Sequence, residues 1–174
     1  MTNFLAALGQ VGQPLSIVTL LLRIGVAVLI GAIIGIDREI KNRPAGMRTH
    51  VLVCVGAALV AMIECQSIAD AVALGNAAIG VSVGRITTSV VSGIGFLGAG
   101  TIFMSDHKIS GLTTAASLWC TACIGLAAGA GYLGAAVISG LVVLVVLRLM
   151  QRVVRITTYK RLEVQFIHRT ETLA

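Results

Sequence analysis

Charge is what this chain has least of. Of its 174 residues only 11% are Asp, Glu, Lys or Arg, while 57% are hydrophobic and the mean hydropathy is +0.98. A soluble domain carries charge on about a quarter of its residues. A chain this short has too much surface to hide that many apolar side chains in one globule. The shortage of charge therefore excludes an ordinary soluble fold, makes lipid the natural solvent, and leaves room for one membrane domain. Acidic residues are missing altogether between Asp106 and Glu163. That gap disposes of a tempting motif, Gly93-Ile94-Gly95-Phe96-Leu97-Gly98, whose spacing copies the dinucleotide-binding fingerprint. The fingerprint needs a carboxylate for the ribose about 20 residues further on, and none is there. Residues 1–13 contain no basic side chain, so no signal-peptide n-region is expected. Of the four cysteines, Cys54, Cys65, Cys120 and Cys123, only Cys65 is expected near the outer surface, which argues against a disulfide framework. Cys120 and Cys123 have redox or metal spacing but no histidine nearby in sequence, and read as small buried side chains.

What is present is a series of long uncharged runs. Residues 15–36 hold one charge, Arg23; residues 51–63 and 86–105 hold none. Residues 109–147 are uncharged throughout, about 58 Å if wholly helical and roughly twice the hydrocarbon thickness. That stretch must fold back, and Gly129-Ala130-Gly131-Tyr132 is the place. The pattern predicts an all-α polytopic membrane helix bundle spanning residues 1–150, with five transmembrane helices at 16–36, 47–64, 85–105, 110–129 and 131–150. Residues 64–84 read as an outer loop with a short helix around 69–74, and residues 151–174 as a short basic cytoplasmic tail. Five spans place 11 of the 13 Lys and Arg on one side; only Arg23 and Arg85 fall toward the other. Basic residues stay in the cytoplasm, so the N-terminus is expected outside and the C-terminus inside. A four-span scheme spoils this asymmetry. The net charge of +6 is then a topology signal, with contact to anionic membrane lipid as a corollary and no nucleic acid implied.

Glycine supplies the packing surfaces. Helices in lipid gain little from hydrophobicity when they meet, so small residues that admit close backbone approach carry their association. Ala27, Gly31 and Gly35 recur at steps of four, as do Ser117, Thr121, Gly125 and Gly129; Gly93, Gly95, Gly98 and Gly100 crowd together. Two readings stand for the crowded glycines: tight interhelical contact, or a break in the helix that opens backbone carbonyls to a cavity.

The densest polar cluster lies in the first basic loop: Asp37, Arg38, Glu39, Arg48, Thr49 and His50, with Asp106, His107 and Lys108 on the other inner loop. Asp37, Glu39 and Asp106 are the weak metal candidates, since hydrated Mg²⁺ needs only one or two protein ligands; against this, Arg38, Lys41, Arg43 and Arg48 offer ion pairs instead. His50 serves either as a helix-end hydrogen-bonding group or as a proton sensor. Arg23 lies about 10 Å inside the first helix. Intramembrane charges face a partner or water, so Arg23 either snorkels outward or pairs with Glu64 or Asp70. Arg85 reads as an interfacial anchor. Thr113, Thr114 and Ser117 form a polar helix face that either bonds to backbone or lines a crevice, and Trp119 at mid-helix wants a buried partner for its N–H. No nucleophile arrangement emerges, and an enzyme is not expected.

Three ordered motifs carry a resemblance. Asp37-Arg38-Glu39, then Ala45-Gly46-Met47-Arg48-Thr49-His50, looks like the signature loop of the MgtC/SapB family; Ser92–Thr101 and Gly111–Trp119, continuing to Gly125-Leu126, resemble its second and third motifs. The match runs from about residue 20 to 131, more loosely to 150. Asp37 departs from the family's usual Glu. Longer members carry a cytoplasmic domain resembling the ACT fold, of which Leu162–Ile167 is either a first strand or part of a natural short tail. The resemblance implies a multi-pass protein of the bacterial plasma (inner) membrane, linked to growth at low magnesium and to virulence. It implies a regulator that docks on membrane proteins, the proton-translocating ATP synthase among them. The alternative is a small Mg²⁺ or proton channel, against which stands the lack of ionisable groups, cysteines aside, at the middle of the last three helices. Homo-oligomers fit either reading, and Mg²⁺ is the only cofactor the resemblance brings into question.

Overall fold

Helices form where the uncharged runs lie, because a chain in lipid must close its backbone hydrogen bonds within itself. The computed structural model describes residues 16–73, 84–105 and 108–153. Its helices are α1 (Ile17–Ile40), α2 (Met47–Ala73), α3 (Arg85–Gly100), α4 (Leu112–Gly129) and α5 (Leu133–Val153). A short antiparallel hairpin joins α3 to α4, with strands β1 (Phe103–Ser105) and β2 (Lys108–Ser110). Its register sets Phe103 opposite Ser110 and Ser105 opposite Lys108. Among the described residues α1, α2 up to residue 71, and α4 are long and apolar enough to cross a membrane.

The ends of these helices follow local chemistry. α1 stops where Asn42 turns left-handed at φ 50° and returns its N–H to Glu39, with Pro44 two residues beyond. The fold-back expected at residues 129–131 is there: Gly131 sits at φ 96°, and Gly131 and Tyr132 donate to the carbonyls of Ala128 and Ala127. The left-handed residue lets the last carbonyls of α4 be satisfied before α5 starts.

Three boundaries differ from the sequence reading. The first helix runs to Ile40, not residue 36, so Asp37, Arg38 and Glu39 stand on its last turn and not in the loop. The third helix ends at Gly100, not at residue 105, and at 16 residues it is about 24 Å long. Thr101 closes it, its N–H and its hydroxyl both donating to Gly98. Gly111, at φ +90°, then packs so closely on the Thr101 carbonyl that a Cβ would overlap it, and this brings β2 back along β1. An uncharged run reports compatibility with lipid and cannot distinguish helix from a tight apolar hairpin. The second helix runs on to Ala73, so the outer loop does not begin at Glu64; the short helix expected from residue 69 is the end of α2, and Leu74 lies outside the described residues.

α4 is the centre of the bundle. Its buried positions run the length of the helix, from Thr114 through Leu118, Ala122, Gly125 and Gly129. Gly125 meets the carbonyl of Cys54, and Gly129 that of Ala58, closely enough that a Cβ on either would overlap an α2 backbone oxygen. Gly31 stands with its Cβ position 3.0 Å from the His50 carbonyl and Val51 Cα, and Gly35 abuts the backbone of Met47. The core around them is made of small groups, including Ala27, Cys54, Ala58, Ala122, Ala128 and Ala136. Gly98 faces Ala115 in ordinary contact, whereas nothing lies within 4 Å of the Cβ positions of Gly93, Gly95 or Gly100. Tight contact is thus found at Gly31, Gly35, Gly125 and Gly129. Of the crowded glycines Gly98 makes only ordinary contact, the packing expected at Gly93, Gly95 and Gly100 is absent within the described bundle, and α3 is unbroken through Gly93 and Gly95.

This division yields a measurable contrast. Gly125→Ala is expected to lower the unfolding free energy in detergent by about 1–3 kcal/mol, the ordinary cost of overpacking. Gly93→Ala is expected to change it by less than about 0.5 kcal/mol.

Candidate functional site

The residues of the basic loop come together at one end of the bundle, where α1 stops and α2 starts. Asp37 is 5% exposed, and each of its oxygens has a cation: Oδ2 lies 2.7 Å from Lys41 Nζ, and Oδ1 lies 3.0 Å from Arg148 Nε. Arg148 is on α5, so Asp37 ties the first helix to the last. Glu39 has a separate task. Its Oε2 accepts the Met47 N–H at 2.8 Å and so caps α2 with a negative charge. Its Oε2 would lie only 2.8 Å from a Cβ on Gly46, an overlap that the flexible carboxylate could relieve by moving. Thr49 donates its hydroxyl to the Gly46 carbonyl at 2.8 Å, while the Arg48 side chain is exposed.

His50 is fully buried. Its Nδ1 lies 2.8 Å from the Gly46 carbonyl, so Nδ1 carries a proton; its Nε2 lies 3.2 Å from Ser117 Oγ on α4. The ring thus holds the start of α2 against α4 as a helix-end group. Arg38, 1% exposed, donates Nη2 to Thr114 Oγ1 on α4 at 3.0 Å. Arg38, His50, Thr114 and Ser117 therefore form one buried polar seam between α1, α2 and α4. Along it Ser117 and Thr121 return their hydroxyls to the carbonyls of Thr114 and Ser117, each at 2.8 Å, so the buried part of the polar face of α4 bonds to backbone.

The remaining candidates are placed apart. Thr113 is exposed, and Trp119 is 45% exposed on the outside of the bundle rather than buried as expected, because α4 presents its small residues inward and its largest side chain outward. Asp106 and His107 lie outside the described residues. The two described metal candidates, Asp37 and Glu39, accept from different protein donors, and the described residues contain no group of three His, Cys, Asp or Glu that could hold a metal.

At the opposite end, Arg23 overturns both readings made for it. It is 3% exposed and donates Nη1 to the Gly129 carbonyl at 2.7 Å. Its partner is the C-terminus of α4, where carbonyls without helical partners and the negative end of the dipole both favour a cation. Glu64 is engaged elsewhere: it accepts the N–H groups of Ile86 and Thr87 at 3.2 Å, and the Thr87 hydroxyl. Asp70 accepts from Gln66. The role of Glu64 was missed in the sequence, although a signal was present. α3 starts at Gly84-Arg85 with no Ser, Thr or Asp to cap it, so a distant acid has to serve.

The Asp37 bridge can be measured. Asp37→Asn is expected to lower stability in detergent by about 1–2 kcal/mol in thermal or denaturant unfolding, since the neutral amide loses both charged partners. Arg148 is 69% exposed, so solvent screening reduces its share.

Comparison with known proteins adds the family. Residues 24–156 match the MgtC family. Protein MgtC of Brucella abortus is 37% identical over 134 residues, 77% of this chain and 52% of the relative. A protein of Escherichia coli K12 named "Putative magnesium transporter YhiD" is 36% identical over 132 residues, covering 76% of this chain and 60% of that protein. An uncharacterized protein of Haemophilus influenzae is 41% identical over 130 residues, 74% and 54% respectively. The chain spans about half the length of the curated relatives it matches. No solved structure matches it. With residues 24–156 matched by the family and a relative 37% identical over 77% of this chain's length, the chain belongs to the MgtC family.

Proposed function

We propose that this protein is an accessory or regulatory component of the bacterial inner membrane that acts by docking helices onto other membrane proteins. Its service is in adaptation to low magnesium and, in a host-associated organism, in virulence. The partner that the family resemblance suggests is the proton-translocating ATP synthase. One observation carries the docking reading. α3 uses Ile94 and Gly98 inside the bundle and leaves Gly93, Gly95 and Gly100 with open space where a Cβ would stand, beside Phe96 at 83% exposure. Small residues on a lipid-facing helix give no benefit against acyl chains but admit a second helix closely, and an aromatic beside them supplies an anchor. A second copy of the chain is an alternative occupant of the same face.

The name of the Escherichia coli relative supports a second reading, a magnesium carrier. Against it, the described charged groups inside the bundle are tied to backbone, hydroxyl or ion-pair partners at its two ends, and the helix middles offer hydroxyls bonded to carbonyls. Purified protein in proteoliposomes is expected to move no Mg²⁺ or protons above empty liposomes; robust flux would overturn the docking reading. Cells carrying Gly93→Cys are expected to give a crosslink from that position to a membrane protein, while Gly56→Cys, which also faces open space on α2, is expected to give none.

A further inference from the structure

Three helices of the bundle begin beside an ionisable side chain. The start of α2 is met by Glu39, which accepts the Met47 N–H, and the start of α3 by Glu64, which accepts those of Ile86 and Thr87. α4 begins differently. Its cap position is Gly111, which has no side chain to offer, and no described side chain accepts from the first-turn amides of Leu112, Thr113 or Thr114. The ionisable group at that end is a cation, Arg38, fixed by Nη2 to Thr114 in the first turn. A positive charge against the positive end of a helix dipole is unfavourable, the reverse of Arg23 at the other end of the same helix.

The burial of Arg38 sharpens the problem. At 1% exposure its Nε and Nη1 have no hydrogen-bond partner among the described residues, and these atoms carry three of the five N–H donors of a guanidinium. Arginine does not deprotonate to escape the cost, and an uncompensated buried charge is strongly destabilising. Asp37, the adjacent acid, is held by Lys41 and Arg148, and Arg43 adds like charge nearby. Leu112 and Thr113 are exposed in the same turn in which Arg38 is buried against Thr114.

We propose that Arg38 and the N-terminus of α4 form a binding site for a phosphate oxyanion. Such a group accepts from the free guanidinium donors and from the first-turn amides together, which neutralises the cation and completes the helix end. The site sits at the basic end of the bundle, beside Lys41, Arg43 and Arg148. Two sources present the same chemistry there, the headgroup of an anionic phospholipid and free inorganic phosphate.

The full chain, purified in a neutral detergent, is titrated with phosphatidylglycerol under native mass spectrometry and, separately, with inorganic phosphate against chloride of equal ionic strength in thermal unfolding. Wild-type protein is expected to retain phosphatidylglycerol, or to gain melting temperature with phosphate and not with chloride; which arm responds identifies the source. Arg38→Met, which keeps the packing of the stem, is expected to bind at least about tenfold more weakly, the worth of one charge-assisted hydrogen bond. Arg85→Gln, at the start of α3 and the opposite end of the bundle, is expected to bind as wild type. If Arg38→Met does not fold, Arg38→Lys carries the same test, since it keeps the charge and loses the Nε donor. No response of the wild type in either arm, or equal binding by the folded Arg38 variant, overturns the proposal.

Discussion

α4 lies so near α2 that backbone carbonyls of one helix occupy the space that side chains on the other would need. Gly125 and Gly129 make that approach possible, and Gly31 and Gly35 do the same for α1 against α2. In water such contacts would be a minor refinement of a hydrophobic core. In lipid they are the main source of association, because the acyl chains solvate apolar side chains as well as a neighbouring helix does. The rest of the architecture follows from this three-helix contact. α3 and α5 pack on α4 from outside it, and the large apolar side chains, Phe96, Leu29 and Leu141 among them, turn outward.

Close approach also decides where charge can go. The described ionisable groups collect at helix ends, where backbone N–H and C=O groups lack partners and the dipole supplies half a charge. Arg23 satisfies the end of α4, Glu64 the start of α3 and Glu39 the start of α2, each across a tertiary contact and not within its own helix. Asp37 fastens the ends of α1 and α5. These residues are structural clasps as much as a site. Within the cluster Arg38 keeps Nε and Nη1 without a hydrogen-bond partner among the described residues.

Much of this was legible from composition. Uncharged runs located five helices, and glycines at steps of four marked the faces of α1 and α4 that pack. The run 86–105 overstated the third helix because a short apolar hairpin and a helix look alike when charge is the only signal. Arg23 was misassigned for a different reason. Its partner is a backbone carbonyl 106 residues away, and a carbonyl has no letter in the sequence. The same blindness hid Glu64, which answers to amides of another helix. Exposure of Gly93, Gly95 and Gly100 against burial of Gly98 was likewise invisible, since spacing does not say which glycines meet a neighbour.

The antiparallel register of α1 on α4 is the claim on which helix packing, capping and the leftover cation all rest. Solid-state NMR on the protein in bilayers, with ¹⁵N in the arginine guanidinium groups and ¹³C in the glycine carbonyls, reads it directly. A dipolar coupling between Arg23 and Gly129, reflecting the 2.7 Å contact, is the expected result. A bilayer spectrum in which Arg23 couples to lipid phosphate, and not to Gly129, would contradict the account.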